Sequence, residues 1–218
     1  MPRPVVFDPL EWIITRSIYT SMLPGLNYPR DYEAAELASS FCNSDIDHLW
    51  NFNWGSVSVV MPPAETKPDS GDLIIAVEGY SAHLLRNWGL KPQIIVSDLD
   101  FMPEELVNCD CIVLAHAHGD NIDYYPQWAS RIQRLIPTVQ VWPKGCSLLI
   151  PGFTDGDRAA YLAYYMGARK IKIYGFNPRK IVKRDDEIKR KKLEIAEVLI
   201  NRIMRRTNVE FYHDPYSI

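Results

Sequence analysis

The chain has 218 residues, 47% hydrophobic and 23% charged, which is enough apolar matter for a sizeable core and too much for global disorder. A formal net charge of −3 argues against a broad basic face for nucleic acid. No apolar run approaches the roughly 20 residues that a membrane helix needs, and the opening MPRPVVFDPLEW lacks a signal-peptide layout.

Residues 1–54 read as a mainly helical, aromatic region. DYEAAELASSF (31–41) has helix-forming composition, with Asp31 as its expected N-cap. Trp50 and Trp54 are four apart and share a helical face, where such a pair is ordinarily core. Residues 55–218 read as an α/β domain. VSVVM (57–61) is a β-branched run, PPAETKPDSG (62–71) a proline-rich loop and DLIIAV (72–77) a strand. SAHLLRNWG (81–89) opens on a capping serine and closes on glycine, the pattern of a short helix. QIIVS (93–97) and CIVLAHA (111–117) are strands, and YPQWASRIQRLI (125–136) reads as a helix. TVQVW (138–142) and SLLI (147–150) follow as short strands, DGDRAAYLAYYMGA (155–168) as a helix, and KIKIYG (170–175) as the last strand. A long C-terminal helix starts around residues 185–187, whose acids suit a helix N-terminus, and carries Ile188, Ile195, Leu199 and Ile203 on one stripe. Cys42, Cys109, Cys111 and Cys146 form no CxxC pairs of the zinc type. They read as ordinary thiols of a soluble, cytoplasmic protein.

Strands that are apolar nearly throughout and alternate with helices predict a mostly parallel, doubly wound sheet flanked by helices. The helical N-terminal extension and the long C-terminal helix are added to it. In such sheets ligands bind beyond the carboxyl ends of the strands, so the residues after each strand matter most. Glu78-Gly79 follows the first of these strands, Asp98-Leu99-Asp100 the second and His116 to Asn121 the third. Thr154 to Arg158 follow SLLI, and Phe176-Asn177 follow KIKIYG. Acids and histidines collected on one edge cost stability unless a cation or a task compensates.

Asp98 and Asp100, two apart in extended chain, face the same way. Two hard carboxylates suit Mg²⁺, although a solvated Asx-turn before Pro103 accounts for the same residues. His116 and His118 share a face by the same spacing. With Asp120 they could hold zinc, but no third soft ligand is evident. A hydrogen-bonding role toward substrate, or a structural role tying down the loop, fits better. Thr154 is the expected cap of the helix that follows, with Asp155 and Asp157 in its first turn. Arg158 is a candidate to hold phosphate bidentately, and Gly156 permits close approach. The basic run Arg179, Lys180, Lys183, Arg184 and KRKK (189–192) reads as a solvated face from which one lysine could reach a triphosphate.

VSDLD, AHAHGDN and GFTDGDRAA, in this order and on this scaffold, resemble the archaeal 6-hydroxymethyl-7,8-dihydropterin pyrophosphokinases, a family similar in fold to the thiamin pyrophosphokinases. DYEAAEL (31–37) and the segment around Lys192-Leu193 extend the resemblance over most of the chain. It departs at Pro62-Pro63-Ala64-Glu65, where the family has a glycine-rich loop, and at Val77-Glu78-Gly79, where it has Ala-Asp-Gly. The resemblance implies a diphosphotransferase in C1-carrier biosynthesis, with residues 55–218 as the catalytic domain. It would transfer the β,γ-diphosphate of ATP to the hydroxymethyl group of the reduced pterin, release AMP and require Mg²⁺. By the same resemblance Asp98 and Asp100 hold the metal. Asp120, Asp157 and Arg158 form the catalytic set. His116, His118, Asn121, Thr154, Asp155 and Glu78 bind substrate. The partners implied are ATP and the pterin, with neither nucleic acid nor membrane, and with a homodimer left open. The alternatives are an enzyme like thiamin pyrophosphokinase with another alcohol acceptor, and a non-catalytic module that binds nucleotide or pterin.

Overall fold

The computed structural model describes residues 5–26, 28–44, 46–179 and 186–212. Its strands are β1 (Val5–Val6), β2 (Ser56–Val60), β3 (Leu73–Val77), β4 (Ile94–Ser97), β5 (Ile112–Ala117), β6 (Leu135–Val139), β7 (Leu148–Leu149), β8 (Lys170–Tyr174) and β9 (Asn208–Tyr212). They form one sheet in the order β1-β7-β6-β5-β4-β3-β2-β8-β9, and every pairing is parallel. The helices are α1 (Pro9–Met22), α2 (Tyr28–Ala38), α3 (Asp47–Trp50), α4 (Glu78–Asn87), α5 (Glu104–Val107), α6 (Tyr125–Ala129), α7 (Asp155–Tyr165) and α8 (Glu187–Met204).

Parallel strands need crossovers, and the crossover helices cover both faces. Along β4, Ile94 and Val96 join one core with α7 and α8 residues such as Ala160, Leu162 and Leu199. Ile95 points the other way, into a core with Ala34 of α2, Leu85 of α4 and Tyr125 of α6. All five residues of β3 and all six of β5 are buried, which is why those strands read as continuous apolar runs. Because every strand runs the same way, all carboxyl ends meet on one edge.

The sheet is wider than the sequence suggests. β1 pairs with β7, and β9 pairs with β8. Only Val209 of β9 is buried, so that edge strand carries little hydrophobic signal. The expected helix over 125–136 stops at Ala129, and Leu135 and Ile136 belong to β6. Trp128, Ile132, Leu135 and Ile136 imitate helical spacing, but pairing with β5 and β7 prevails. Pro137 is tolerated because pairing with β7 begins only at Thr138. α4 starts at Glu78, three residues before the expected serine.

Trp54 is buried and donates its indole N–H to the Leu49 carbonyl (2.8 Å), whereas Trp50 is 55% exposed, so the two do not form a pair. Ile195, Leu199 and Ile203 are buried as expected, but Ile188 is exposed. Lys180, Lys183, Arg184 and Asp185 lie outside the described residues. The cysteines are bonded as Cys42–Cys146 and Cys109–Cys111, so the expectation of free thiols is corrected. Among the described residues no helix is long and apolar enough to cross a membrane.

Candidate active site

A cavity of about 470 Å³ opens at the carboxyl edge of the sheet, over β3 to β7. Glu78, Asp98, Asp100, His116, His118, Asp120, Thr154, Asp155 and Arg158 line it. Nine of the eleven residues singled out from the sequence therefore meet in one space.

The β4 end is a tight turn. Leu99 and Met102 take left-handed backbone (φ 67° and 54°), which is uncommon for such side chains and frequent near functional sites. The Leu99 N–H donates to Ser97 Oγ (3.0 Å) and the Asp100 N–H to Asp98 Oδ1 (3.2 Å). The Gly79 N–H donates to the Phe101 carbonyl (3.1 Å). A Cβ on Gly79 would lie 1.8 Å from the Met102 carbonyl oxygen, so only glycine allows α4 to start this close to the aspartate turn.

The β5 end carries the histidines, whose rings stack at 5.6 Å. His116 is buried, and its Nδ1 lies 3.1 Å from Thr138 Oγ1. Burial, the Arg158 guanidinium and His118 push its pKa well below the usual imidazole value, so His116 is neutral at pH 7. Among the described residues its Nε2 has no hydrogen-bond partner. His118 lies between carboxylates, Nε2 at 3.8 Å from Asp98 and Nδ1 at 3.7 Å from Asp120. Asn121 is fully buried and stands outside the cavity lining. Its amide donates to the carbonyls of Asp98 (2.8 Å) and His116 (2.7 Å) and accepts from the His118 N–H (3.0 Å). Asn121 thus joins the β4 and β5 ends through their backbones.

The α7 start carries the third group. Asp157, also fully buried and outside the lining, accepts from the N–H groups of Phe153 (2.6 Å) and Thr154 (2.9 Å) and from the Thr154 hydroxyl (2.8 Å). This reciprocal arrangement closes the first turn of the helix. Gly152 makes room for it, since a Cβ there would lie 2.7 Å from Asp157 Oδ1. Asp155 accepts from the Asp98 N–H (3.0 Å) and from Arg158 Nη1 (3.4 Å). Burial and the neighbouring Asp98 charge raise its pKa to about 7, despite Arg158. Arg158 is wholly buried, and its Nε and Nη2 have no partner among the described residues. A buried guanidinium with idle donors costs stability, and an anionic ligand would supply what it lacks.

Several wall residues were not among the expected site residues, though Lys189 and Lys192 lie in the basic run from which one lysine could reach a triphosphate. Leu23, Pro24 and Leu26 follow α1, Phe153 precedes α7, and Asp186, Ile188, Lys189 and Lys192 come from the α8 start. The lysines belong to the basic run, and the exposure of Ile188 is explained by its place on this wall. Gln140 follows β6, and its side chain is fixed by Asp31. Asp31 is not the N-cap of α2 but lies inside it, buried, with Oδ1 accepting from the Gly119 N–H (2.8 Å). No motif marks these residues. Gln140 sits within an apolar run, and the others are ordinary in composition.

Among the described residues no three metal-binding side chains converge into a ready cluster. Asp98 and Asp100 both line the cavity, and between them they could supply the one or two carboxylate oxygens that Mg²⁺ takes when phosphate and water complete its shell.

No family model matches the chain. A curated relative from Pyrococcus furiosus, named 6-hydroxymethyl-7,8-dihydropterin pyrophosphokinase, is 37% identical over 183 residues, 77% of this chain and 78% of that one. The chain belongs to this family. Members of the same pyrophosphokinase name from Methanocaldococcus jannaschii (36% over 160 residues, 64% of this chain) and Methanothermobacter thermautotrophicus (34% over 151 residues, 62% of this chain) agree. The alignment spans 65% of the length of each of these two pyrophosphokinases. A solved thiamine pyrophosphokinase from Bacillus subtilis superposes with a TM-score of 0.37 at 13% identity over 72% of this chain and 59% of that one, too distant to carry an argument.

Proposed function

We propose that the chain transfers the β,γ-diphosphate of ATP to the hydroxymethyl group of 6-hydroxymethyl-7,8-dihydropterin and releases AMP. The observation that carries this reading is the buried Arg158, whose Nε and Nη2 are without partners among the described residues, in a cavity otherwise rich in carboxylates. A site built to hold a cation alone would have no use for it. A site for phosphate and divalent cation together needs both signs.

In this reading the acceptor oxygen attacks the β-phosphorus. The new O–P bond forms as the bond from β-phosphorus to the α,β-bridging oxygen breaks, and AMP leaves. Asp98 and Asp100 hold Mg²⁺, which supplies charge neutralisation on the phosphate oxygens when bound. Arg158 donates to a phosphoryl oxygen, and Lys189 and Lys192 face the triphosphate from α8. His118, between Asp98 and Asp120, orients the substrates, and neutral His116 offers Nε2 to a ligand atom. Glu78 and Asp155 border the metal side and the Thr154 backbone borders the α7 start. Of the two carboxylates in the expected catalytic set, Asp120 is the one on the cavity wall, and it accepts the proton of the acceptor hydroxyl. Asp157 and Asn121 act behind it, holding the α7 turn and the β4–β5 ends in place. Most of the catalysis is positioning and charge compensation, as phosphoryl transfer requires.

The test is incubation with ATP, Mg²⁺ and the reduced pterin, with AMP and diphosphorylated pterin measured together. Equal amounts of both are expected. AMP formed only with thiamin, or tight binding of pterin and ATP without AMP, overturns the reading in favour of another acceptor or of a binding module.

A further inference from the structure

We infer that Gln140 is a specificity-determining residue, set by Asp31 to present its carbonyl oxygen to an N–H on the edge of a flat heterocycle. The inference rests on the reading above for the identity of the substrates and goes beyond it in naming how one of them is recognised.

Gln140 Nε2 donates to Asp31 Oδ2 at 2.8 Å, in a buried contact between residues 109 apart in sequence. An ionised carboxylate only accepts, so the nitrogen end of the amide must face it. The backbone agrees: the other carboxylate oxygen takes the Gly119 N–H at 2.8 Å. Gln140 also lines the cavity, and with Nε2 held at Asp31 we assign the cavity side to Oε1, an acceptor only.

The surroundings suit a ring. Gln140 and Phe153 follow the neighbouring strands β6 and β7. Phe153 is backed by Tyr19 at 4.7 Å in a stacked arrangement, which makes a rigid aromatic wall. Leu23, Leu26 and Ile188 add apolar surface to the same cavity. The carboxylates of β4 stand further along the sheet, two strands from Gln140. Both substrates in the proposed reaction carry an amino-bearing heterocycle, the pterin and the adenine, and the chemistry at Gln140 is the same for either.

The experiment compares equilibrium binding of ligand pairs that differ by amino against oxo: 6-hydroxymethylpterin with its 2-oxo analogue, and ATP with ITP. Wild-type protein is expected to prefer the amino member of one pair by at least about tenfold, and the pair concerned identifies the ring. Gln140→Met, close in volume, should lower that preference to about unity while leaving the other pair unchanged. Asp31→Asn is the sharper variant. The Gly119 N–H would hold the new amide oxygen, so its NH₂ would face Gln140 and turn that amide around. The amino preference should then fall below unity, an outcome that simple loosening would not produce. Equal preference in wild type and Gln140→Met for both pairs overturns the inference. Binding is read without turnover, so absence of AMP formation would refute the proposed reaction and leave this result standing.

Discussion

At the scale of single residues, the site divides side chains that touch the cavity from side chains that hold those in place. Asp98→Asn should lower AMP formation by about 10²-fold and abolish its dependence on Mg²⁺ concentration in the millimolar range, as measured by initial rates. Unchanged Mg²⁺ dependence would remove Asp98 from the metal. Arg158→Met separates function from stability. It should lower AMP formation by about 10²–10³-fold without lowering the melting temperature by more than about 3 °C. Loss of a buried cation with two idle donors relieves a desolvation cost, and Asp155 can stay protonated near neutrality. A fall in melting temperature of about 10 °C or more, by the same scaling, would mean that Arg158 is structural. Much of this site was legible, because strand ends in a parallel sheet converge wherever the strands are read correctly. Asn121 and Asp157 were legible as polar residues but not as braces, since a sequence does not show which carbonyl or N–H a short side chain will reach. Gln140 and Asp31 were illegible as a pair because only the fold brings residues 109 apart into contact.

At the scale of elements, α1, α7 and α8 are joined by a buried carboxylate. Glu11 accepts from Arg202 Nε and Nη2 (both 3.0 Å), Arg206 Nη2 (2.8 Å) and the Tyr161 hydroxyl (2.9 Å). Burial works to raise its pKa, yet the hydrogen bonds from Arg202, Tyr161 and Arg206 bring it below the ordinary glutamate value. A carboxyl whose folded pKa is depressed contributes stability above its unfolded pKa, about 4.3, and loses it as pH falls through the folded value. Glu11→Gln should therefore destabilise the protein by about 2 kcal/mol at pH 7, and the gap from wild type should close as the pH falls below about 4. Thermal unfolding from pH 7 to pH 3 reads this directly, and a gap that stays constant refutes it. The helices and central strands themselves were readable. β3 and β5 are buried on both faces and α8 keeps a helical stripe, so period and burial agree. β1 and β9 were missed because an edge strand buries little, and β6, expected at 138–142, starts earlier, at Leu135, because Trp128, Ile132 and Leu135 happen to fall at helical spacing.

At the scale of the whole molecule, the two disulfides differ in what they constrain. Cys42, after α2, is joined to Cys146, just before β7, across 104 residues, whereas Cys109 and Cys111 are two apart. A link that closes a long loop restricts the unfolded chain strongly, and one that closes two residues restricts it little. The Cys42–Cys146 link also ties the layer that carries Asp31 to the strand edge that leads into Phe153 and Arg158, so it belongs to the frame of the cavity. Denatured, unreduced protein should show no titratable thiol, and reduction should lower the melting temperature by roughly 10 °C. Cys42→Ser should reproduce that loss and make the protein insensitive to reductant. Cys109→Ser should leave both the melting temperature and its response to reductant close to wild type. Equal effects of the two substitutions would show that loop closure is not the source of the stability. Four free thiols in the denatured chain would remove the links themselves and return the cysteines to the role of ordinary buried side chains.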